Sequence, residues 1–178
     1  MYPWDGKNVY FMGFMASGKS AIGKEFAFML GRRFADTDDL VEEYAGKSIS
    51  QIFADDGEEA FRVIETSVIR TIAESNDMII SLGGGAILRE ENWNLIEQSG
   101  ISVCLSAPVK TLAERIARKS HRPLMYNLQG DALIAKINTM LEERQPFYQR
   151  AQYIFENSGS LSIRDFSKHI YTTIRDDI

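Results

Sequence analysis

The chain carries, at residues 13–20, the sequence Gly13-Phe14-Met15-Ala16-Ser17-Gly18-Lys19-Ser20, which fits the pattern G-x-x-x-x-G-K-[ST] of phosphate-binding loops. An apolar run typical of a strand precedes it at 9–12, and a helical pattern follows it. In this context the loop and the first helical turn point backbone N–H groups at phosphate oxygens, and the helix dipole favours the negative charge. We therefore predict a nucleotide-binding loop rather than a chance match, with Lys19 reaching the β- and γ-phosphates and Ser20 coordinating Mg²⁺.

Short apolar runs alternate along the chain with longer amphipathic patterns. The runs typical of strands lie at 9–12, 34–35, 78–82, 103–105 and 153–155, and the helical patterns lie at 19–30, 58–73, 92–98, 109–117, 131–143 and 162–174. This alternation predicts an α/β domain with a mainly parallel sheet and helices on both faces. Two segments interrupt it: 36–57 is polar with short helical pieces, and 118–130 is a basic stretch typical of a surface loop that can move.

Composition indicates an ordinary globular domain. The chain has 178 residues, of which 44% are apolar and 25% charged, which suits one domain spanning 1–178. The net charge of −5 argues against a general nucleic-acid or membrane-surface binder. The single cysteine, Cys104, lies in an apolar run, so we expect a buried, inert thiol and a cytoplasmic location. No apolar stretch reaches the roughly 18 residues of a membrane span, and the N-terminus lacks the pattern of a signal peptide.

A pair of carboxylates, Asp36 and Asp38, follows the second predicted strand. Ligands of a doubly wound sheet bind at the carboxyl ends of its strands, so both side chains can face one Mg²⁺-nucleotide site. One carboxylate would hold a metal-bound water, and the other would accept a proton from a substrate hydroxyl. The alternative is the N-cap of a helix, since Asp38 and Asp39 precede the pattern that begins at Leu40, and the residues alone leave both interpretations open.

Three consecutive glycines, Gly83, Gly84 and Gly85, follow the third predicted strand after Ser81 and Leu82. Glycine lets a ligand approach the backbone closely and exposes N–H donors. Ser81 stands where many nucleotide-binding proteins carry an acidic residue that steadies Mg²⁺. A flexible turn is the plainer alternative, but a triple glycine is entropically costly for a simple connection.

Three arginines are candidates for binding anionic groups. Arg62 lies in a predicted helix with acidic residues three and four positions away, so a solvated ion pair is the alternative. Arg144 stands near the predicted C-terminus of a helix, where a cation also suits the helix dipole. Arg122, in the loop 118–130, would close over a transferring phosphate, or else belong to a solvated charge cluster.

Together these motifs resemble the shikimate kinase family over residues 9–155. The similarity rests on the stretches G-F-M-A-S-G-K-S, F-A-D-T-D, I-F-A-D-D-G-E-E-A-F-R, S-L-G-G-G-A, R-P-L and E-R-Q-P-F-Y, in that order. The D-G-E-x-x-F-R and G-G-G-A stretches are quite specific, because other small-molecule kinases with this loop rarely carry both. The resemblance implies a three-layer α/β/α sandwich around a five-stranded parallel sheet of order 2-3-1-4-5, with a substrate-binding part at 39–73 and a lid at 117–131.

The resemblance also implies the reaction and its partners. A member of this family transfers the γ-phosphate of ATP, with Mg²⁺, to the 3-hydroxyl of shikimate, in the synthesis of chorismate and aromatic amino acids. We accordingly expect a cytoplasmic, monomeric enzyme whose partners are these two small molecules, without nucleic acid or membrane.

Site roles follow from the same resemblance, residue by residue. The nucleotide is expected to bind at Ala16, Ser17, Gly18, Lys19, Ser20, Ala21, Arg115 and Arg122, with Arg115 packing on the adenine and with Ser20 and Asp36 near the metal. Shikimate is expected to bind at Asp38, Phe53, Phe61, Arg62, Gly83, Gly84, Gly85 and Arg144. In this assignment Lys19, Asp38 and Arg122 are catalytic: Asp38 binds the 3-hydroxyl and accepts its proton, while Arg62 and Arg144 grip the substrate carboxylate.

Two positions depart from the family pattern. Family members usually have glycine where this chain has Ala16, and if that position needs a positive φ, alanine would cost about 1 kcal/mol. The stretch 156–160 lacks the proline and the basic residue expected against adenine, so the adenine contacts are less secure than phosphate binding.

Two rival functions remain open from the sequence. A related kinase could act on another polyol acid such as gluconate, which also carries a carboxylate, although the D-G-E-x-x-F-R stretch favours shikimate. A sensor could bind ATP without turnover, but it would need fewer of the residues Lys19, Asp38, Arg62, Arg122 and Arg144.

Overall fold

A computed structural model of the protein describes residues 4–118, 125 and 128–177. The strands are β1 (Asn8–Met12), β2 (Arg33–Asp36), β3 (Met78–Ser81), β4 (Gly100–Ser106) and β5 (Tyr153–Glu156). The helices are α1 (Lys19–Leu30), α2 (Thr37–Ala45), α3 (Ile49–Asp55), α4 (Gly57–Ala73), α5 (Glu90–Ser99), α6 (Val109–Ala117), α7 (Gly130–Tyr148) and α8 (Ile163–Asp177), with a 3₁₀ turn at Ala86–Leu88. Within these described ranges, no helix combines the length and the apolar character that crossing a membrane requires.

The strands form one parallel sheet in the order β2-β3-β1-β4-β5, which confirms the predicted fold. The chain starts at the central strand β1, fills one side with β2 and β3, and then crosses to β4 and β5 on the other side. Ligands of such sheets bind at the carboxyl ends of the strands, near the point where the chain changes sides. The loop 13–18 and the turn 82–85 both leave the sheet at this edge, from the adjacent strands β1 and β3.

Side chains of β1 alternate between two apolar clusters, one on each face of the sheet. Val9 and Phe11 pack with residues of α1 and α8, whereas Tyr10 and Met12 pack with residues of α4, α5, α6 and α7. Both faces of the central strand are therefore buried, as expected for a parallel sheet between two helical layers.

The polar segment 36–57 folds into the two short helices α2 and α3. Asp36 caps α2 by accepting a hydrogen bond from the backbone N–H of Asp38, and Ser48 forms a capping box with Gln51 at the start of α3. Val41 and Ile52 from these helices form a small third cluster with Phe61 of α4. This cluster fixes α2 and α3 against the helix that carries Arg62.

The helical pattern predicted at 131–143 is longer in the structure. Helix α7 continues to Tyr148 with Pro146 inside it, so Arg144 lies about one turn before the C-terminus rather than just beyond the last predicted helical residue. Proline removes one backbone donor and normally ends a helix. Here tertiary contacts outweigh that cost, because Arg144 and Tyr148 are both buried and both donate to the carbonyl oxygen of Gly84.

Cys104 is predicted to be unreactive in the native state. Its thiol lies on β4 in the apolar core, and burial raises its pKa to about 12. The thiolate is the form that reacts with thiol reagents. Burial keeps reagents away from this thiol, and its raised pKa keeps it protonated. Titration with Ellman's reagent at pH 8 should detect no rapidly reacting thiol in the native protein and one per chain in denaturant. A fast reaction without denaturant would contradict this.

Candidate active site

A cleft of about 590 Å³ opens at the carboxyl ends of β1, β2 and β3. It brings together the phosphate loop, the two candidate carboxylates, the glycine turn and the sixth and eighth helices. Its lining includes Ala16, Gly18, Lys19, Ser20, Ala21, Asp36, Asp38, Gly84, Arg115 and Asn157. Six of the sequence-predicted nucleotide residues, namely Ala16, Gly18, Lys19, Ser20, Ala21 and Arg115, thus share one cleft with Asp38.

The phosphate loop connects β1 to α1 in a conformation that requires glycine at two positions. Gly13 and Gly18 have φ of 138° and 107°, and a Cβ at Gly13 would collide with the carbonyl of Leu105. Lys19 reaches back across the loop, where its Nζ donates to the carbonyl oxygens of Gly13 and Phe14 at 2.9 and 3.0 Å. The ammonium group is therefore held over the concave side of the loop at the start of α1.

Ala16 adopts a left-handed conformation, with φ of 63°. This is the position at which the resemblance noted in the sequence implies glycine. The Cβ of an L-residue meets the following carbonyl in this region, at a cost of about 1–2 kcal/mol. The loop therefore has the strained residue at the position that the sequence indicated.

Replacing Ala16 with glycine is expected to leave activity intact and to change the free energy of unfolding by no more than about 1 kcal/mol, in the stabilising direction. Relief of the left-handed strain is partly offset by the greater chain entropy of glycine in the unfolded state. Urea unfolding and steady-state kinetics of the Ala16→Gly variant would measure both effects. A loss of stability beyond 1 kcal/mol, or a large loss of kcat, would show that the alanine methyl group is itself required.

Oxygen atoms of three residues converge beside Lys19 at the start of α1. The Ser20 hydroxyl donates to Asp36 Oδ2 at 2.6 Å, and the Ser20 and Ser81 hydroxyl oxygens lie 3.3 Å apart. Hydroxyl and carboxylate oxygens are the donors that Mg²⁺ prefers. Among the described residues no group of three or more His, Cys, Asp and Glu side chains could hold a metal ion. The two interpretations of Asp36 are compatible, since its other oxygen caps α2.

The glycine turn allows charged side chains to approach its backbone. A Cβ at Gly83 would lie 2.6 Å from Asp38 Oδ1 and 2.7 Å from Glu65 Oε1, so these two carboxylates converge on one point. A Cβ at Gly85 would lie 2.5 Å from Arg62 Nη2. Side chains at positions 83 and 85 would displace the charged groups, which explains in physical terms why both positions are glycine.

Arg62 forms a buried ion pair that the sequence did not predict as buried. Its Nη1 donates to Glu65 Oε2 at 2.7 Å, and its Nη2 donates to Glu58 Oε1 at 3.1 Å. Burial raises the pKa of the Glu65 carboxyl, and the positive charge of Arg62 opposes this shift. For Arg62, burial lowers the pKa, but the interactions with Glu65 and Glu58 outweigh burial, so the pKa of the guanidinium is raised. Glu65 Oε1 has no hydrogen-bond partner although it is inaccessible. Spacing identified Glu65 as a partner of Arg62, but only the fold shows that it also faces Asp38.

Arg144 approaches the same turn from α7. Its Nη1 donates to the carbonyl oxygen of Gly84 at 3.1 Å, and its guanidinium lies 5.5 Å from the ring centre of Phe14 in the phosphate loop. The rings of Phe53 and Phe61 lie 4.9 Å apart on the other side, where the guanidinium of Arg62 covers Phe61. The glycine turn thus connects Arg62 and Arg144 with the phosphate loop, whereas Phe53 and Phe61 belong to the third apolar cluster.

Arg115 contacts the phosphate loop from α6, and the loop after β5 faces it. Its guanidinium donates to the carbonyl oxygens of Ala16 and Ser17. Exposed apolar side chains of Leu161 and Ile163 line the same end of the cleft. Arg122 lies outside the described residues, as do residues 119–124 and 126–127 of the predicted lid.

Comparison with known proteins identifies the family of this chain. The family model described as shikimate kinase matches residues 15–175. A shikimate kinase of Parabacteroides distasonis is 40% identical over 160 residues, which cover 89% of this chain and 92% of that protein. The structure of a shikimate kinase from Acinetobacter baumannii in complex with shikimate has a TM-score of 0.89 and 34% identity, covering 96% of this chain and 94% of the other. A shikimate kinase structure from Bacteroides thetaiotaomicron has a TM-score of 0.88 and 30% identity, covering 94% and 98%. The chain therefore belongs to the shikimate kinase family.

Proposed function

We propose that this protein transfers the γ-phosphate of ATP to the 3-hydroxyl of shikimate, giving 3-phosphoshikimate and ADP. One observation carries the proposal: the glycine turn joins a phosphate loop to two buried arginines and a carboxylate. A Cβ at Gly84 would lie 3.5 Å from the backbone nitrogen of Met15 in the loop and 3.7 Å from Arg144 Nη1. A small carboxylated alcohol held by this turn lies beside the end of a triphosphate bound in the loop. The relative from Acinetobacter baumannii was solved with shikimate, which supports this choice of acceptor.

In this reaction the 3-hydroxyl oxygen forms a bond to the γ-phosphorus while the bond from that phosphorus to the bridging oxygen of ADP breaks. Asp38 lies beside Gly83 and accepts the hydroxyl proton, so that no positive charge builds up on the acceptor oxygen as the new bond forms. Lys19 exchanges its contacts with the loop carbonyls for the β- and γ-phosphates and stabilises the charge that spreads over them. Holding both substrates in line supplies much of the remaining rate enhancement.

Mg²⁺ fits the oxygen donors beside Lys19. When bound, the ion would neutralise charge on the β- and γ-phosphates. Ser20 would hold it directly, and Asp36 would hold its water, since the Ser20 hydroxyl and Asp36 already share a hydrogen bond of 2.6 Å.

We propose that Arg62 and Arg144 bind the shikimate carboxylate and that Phe53 and Phe61 form the apolar wall of its pocket. Each guanidinium reaches the glycine turn, and a planar guanidinium matches a carboxylate in two parallel hydrogen bonds. Residues 39–73, which include α2, α3 and α4, then form the substrate-binding part.

The base of ATP is proposed to lie between Arg115 and the apolar side chains of Leu161 and Ile163. These groups line one end of the cleft and supply a cation and an apolar surface for the two faces of adenine. They replace the proline and basic residue that the stretch 156–160 lacks. We further propose that Arg122 reaches the phosphates from a lid at 117–131, and that the protein acts as a cytoplasmic monomer.

A coupled assay of ADP release tests the proposed function. We expect turnover that depends on shikimate, Mg²⁺ and ATP, and little turnover with gluconate. Nucleotide binding without shikimate-dependent turnover would favour a sensor instead. Faster turnover with gluconate would assign the carboxylate pocket to another polyol acid.

A further inference from the structure

Asn157, in the connection between β5 and α8, forms a hydrogen bond to the phosphate loop. Its Nδ2 donates to the carbonyl oxygen of Ser17 at 2.8 Å, although the two residues are 140 positions apart. Its own backbone N–H donates to the carbonyl oxygen of Ser106 at 2.8 Å, which anchors it to the end of β4. The donor amide is therefore held by the sheet and reaches the loop from a fixed point.

Arg115 adds a second set of bonds to the same backbone. Its Nη1 donates to the carbonyl oxygens of Ala16 and Ser17 at 3.2 and 3.4 Å, and its Nη2 donates to the carbonyl oxygen of Asn157 at 3.4 Å. Hydrogen bonds from outside the phosphate loop thus hold two consecutive loop carbonyls, those of Ala16 and Ser17.

This restraint determines where a loop N–H group points. The peptide bond is planar and trans, so its carbonyl and its N–H face opposite sides. When Asn157 holds the Ser17 carbonyl, the N–H of Gly18 in the same peptide must face away from Asn157. Gly18 also leaves no room for a side chain there, because a Cβ would lie 2.6 Å from Asn157 Nδ2. The contact therefore orients a donor at the N-terminus of α1, where phosphate is bound.

We propose that Asn157 is a positioning residue for ATP, which holds the phosphate loop in its binding conformation against the backbone strain of Ala16. This inference rests on the proposed ATP site. Alanine favours leaving the left-handed region, whereas glycine populates it readily. Loss of the amide should therefore weaken ATP binding more in a loop with Ala16 than in a loop with glycine at that position.

Steady-state kinetics and ADP titration of Asn157→Ala test the proposal, with Asn94→Ala, an exposed position on α5, as the matched control. The loss of one hydrogen bond is expected to raise the ATP KM and the ADP Kd about fivefold, with the shikimate KM changed less than twofold. In the double variant Ala16→Gly/Asn157→Ala, the ATP KM and the ADP Kd should be less than about twofold above their values in Ala16→Gly alone. Asn94→Ala should match the wild type in each measurement, and thermal unfolding verifies that every variant is folded.

Three outcomes overturn the proposal: an unchanged ATP KM in Asn157→Ala, equal increases in the ATP and shikimate KM, or the same increase with glycine at position 16. The last would mean that Asn157 acts on the nucleotide other than through the loop. Failure of the proposed function is distinguishable, because it would appear in the wild type as absent ADP binding or absent shikimate-dependent turnover.

Discussion

Replacing Lys19 with alanine is expected to lower kcat by about 10²–10³-fold or more, with the protein still folded. Removing a single preorganised donor to developing charge costs on this order in other enzymes. Lys19 is the cation on the concave side of the phosphate loop, and its Nζ already lies within 3.0 Å of two loop carbonyls. Its charge acts on the phosphate groups that take part in the transfer. The variant should therefore lose much more in kcat than in its affinity for shikimate.

Lys24→Ala is the matched control for this effect. Lys24 lies on the same helix but is exposed and covers the ring of Phe34, so it should retain near wild-type kcat. Single-turnover phosphate transfer, measured by quenched flow with saturating ATP and shikimate, separates the chemical step from product release. A Lys19→Ala variant with near-normal kcat would refute the assigned role.

Local sequence was sufficient to predict a mainly parallel sheet and the phosphate loop, whereas the strand order 2-3-1-4-5 was implied by the family resemblance. Strand-type runs and amphipathic patterns depend on side-chain alternation within a few residues, and the loop requires glycine at fixed backbone angles. The strain at Ala16 was anticipated from the family resemblance, which implies glycine at this position, and its φ of 63° confirms the expectation. Strand patterns and the phosphate loop can therefore be predicted because they depend on residues that are close together in the sequence.

Contacts between distant segments could not be predicted in this way. Asn157 reaches the carbonyl oxygen of Ser17 only because β5 pairs with β4, which places the loop after β5 beside the phosphate loop. Helix α7 passes Pro146 because Tyr148 reaches the Gly84 carbonyl, a contact across 64 residues. Likewise, the spacing of Glu65 from Arg62 indicates an ion pair on any helix, but burial of that pair depends on how α4 packs.

The buried ion pair changes what mutation of Arg62 should do. Arg62→Ala is expected to raise the shikimate KM about 10–100-fold, the range for loss of a charged hydrogen bond, and the ATP KM much less. It should also destabilise the fold at pH 8 by about 3 kcal/mol, because Glu65, with a side chain only 1% exposed, loses its cation. An alanine scan alone would therefore mix a substrate effect with a folding effect.

The pH dependence and a second substitution separate these effects. A carboxyl whose pKa is raised in the folded state binds its proton more tightly there, so folding stability is lost as pH rises above the unfolded value of about 4.3. Burial raises the pKa of Glu65, and removing Arg62 raises it further, so the deficit of Arg62→Ala should be smallest near pH 5 and largest near pH 8. The double variant Arg62→Ala/Glu65→Gln should recover most of the stability at pH 8 while its shikimate KM stays high. Urea unfolding at both pH values, with kinetics at pH 8, measures this. If the KM recovers together with the stability, Arg62 acts only as a structural partner of Glu65; if it does not, the guanidinium contributes to acceptor binding directly.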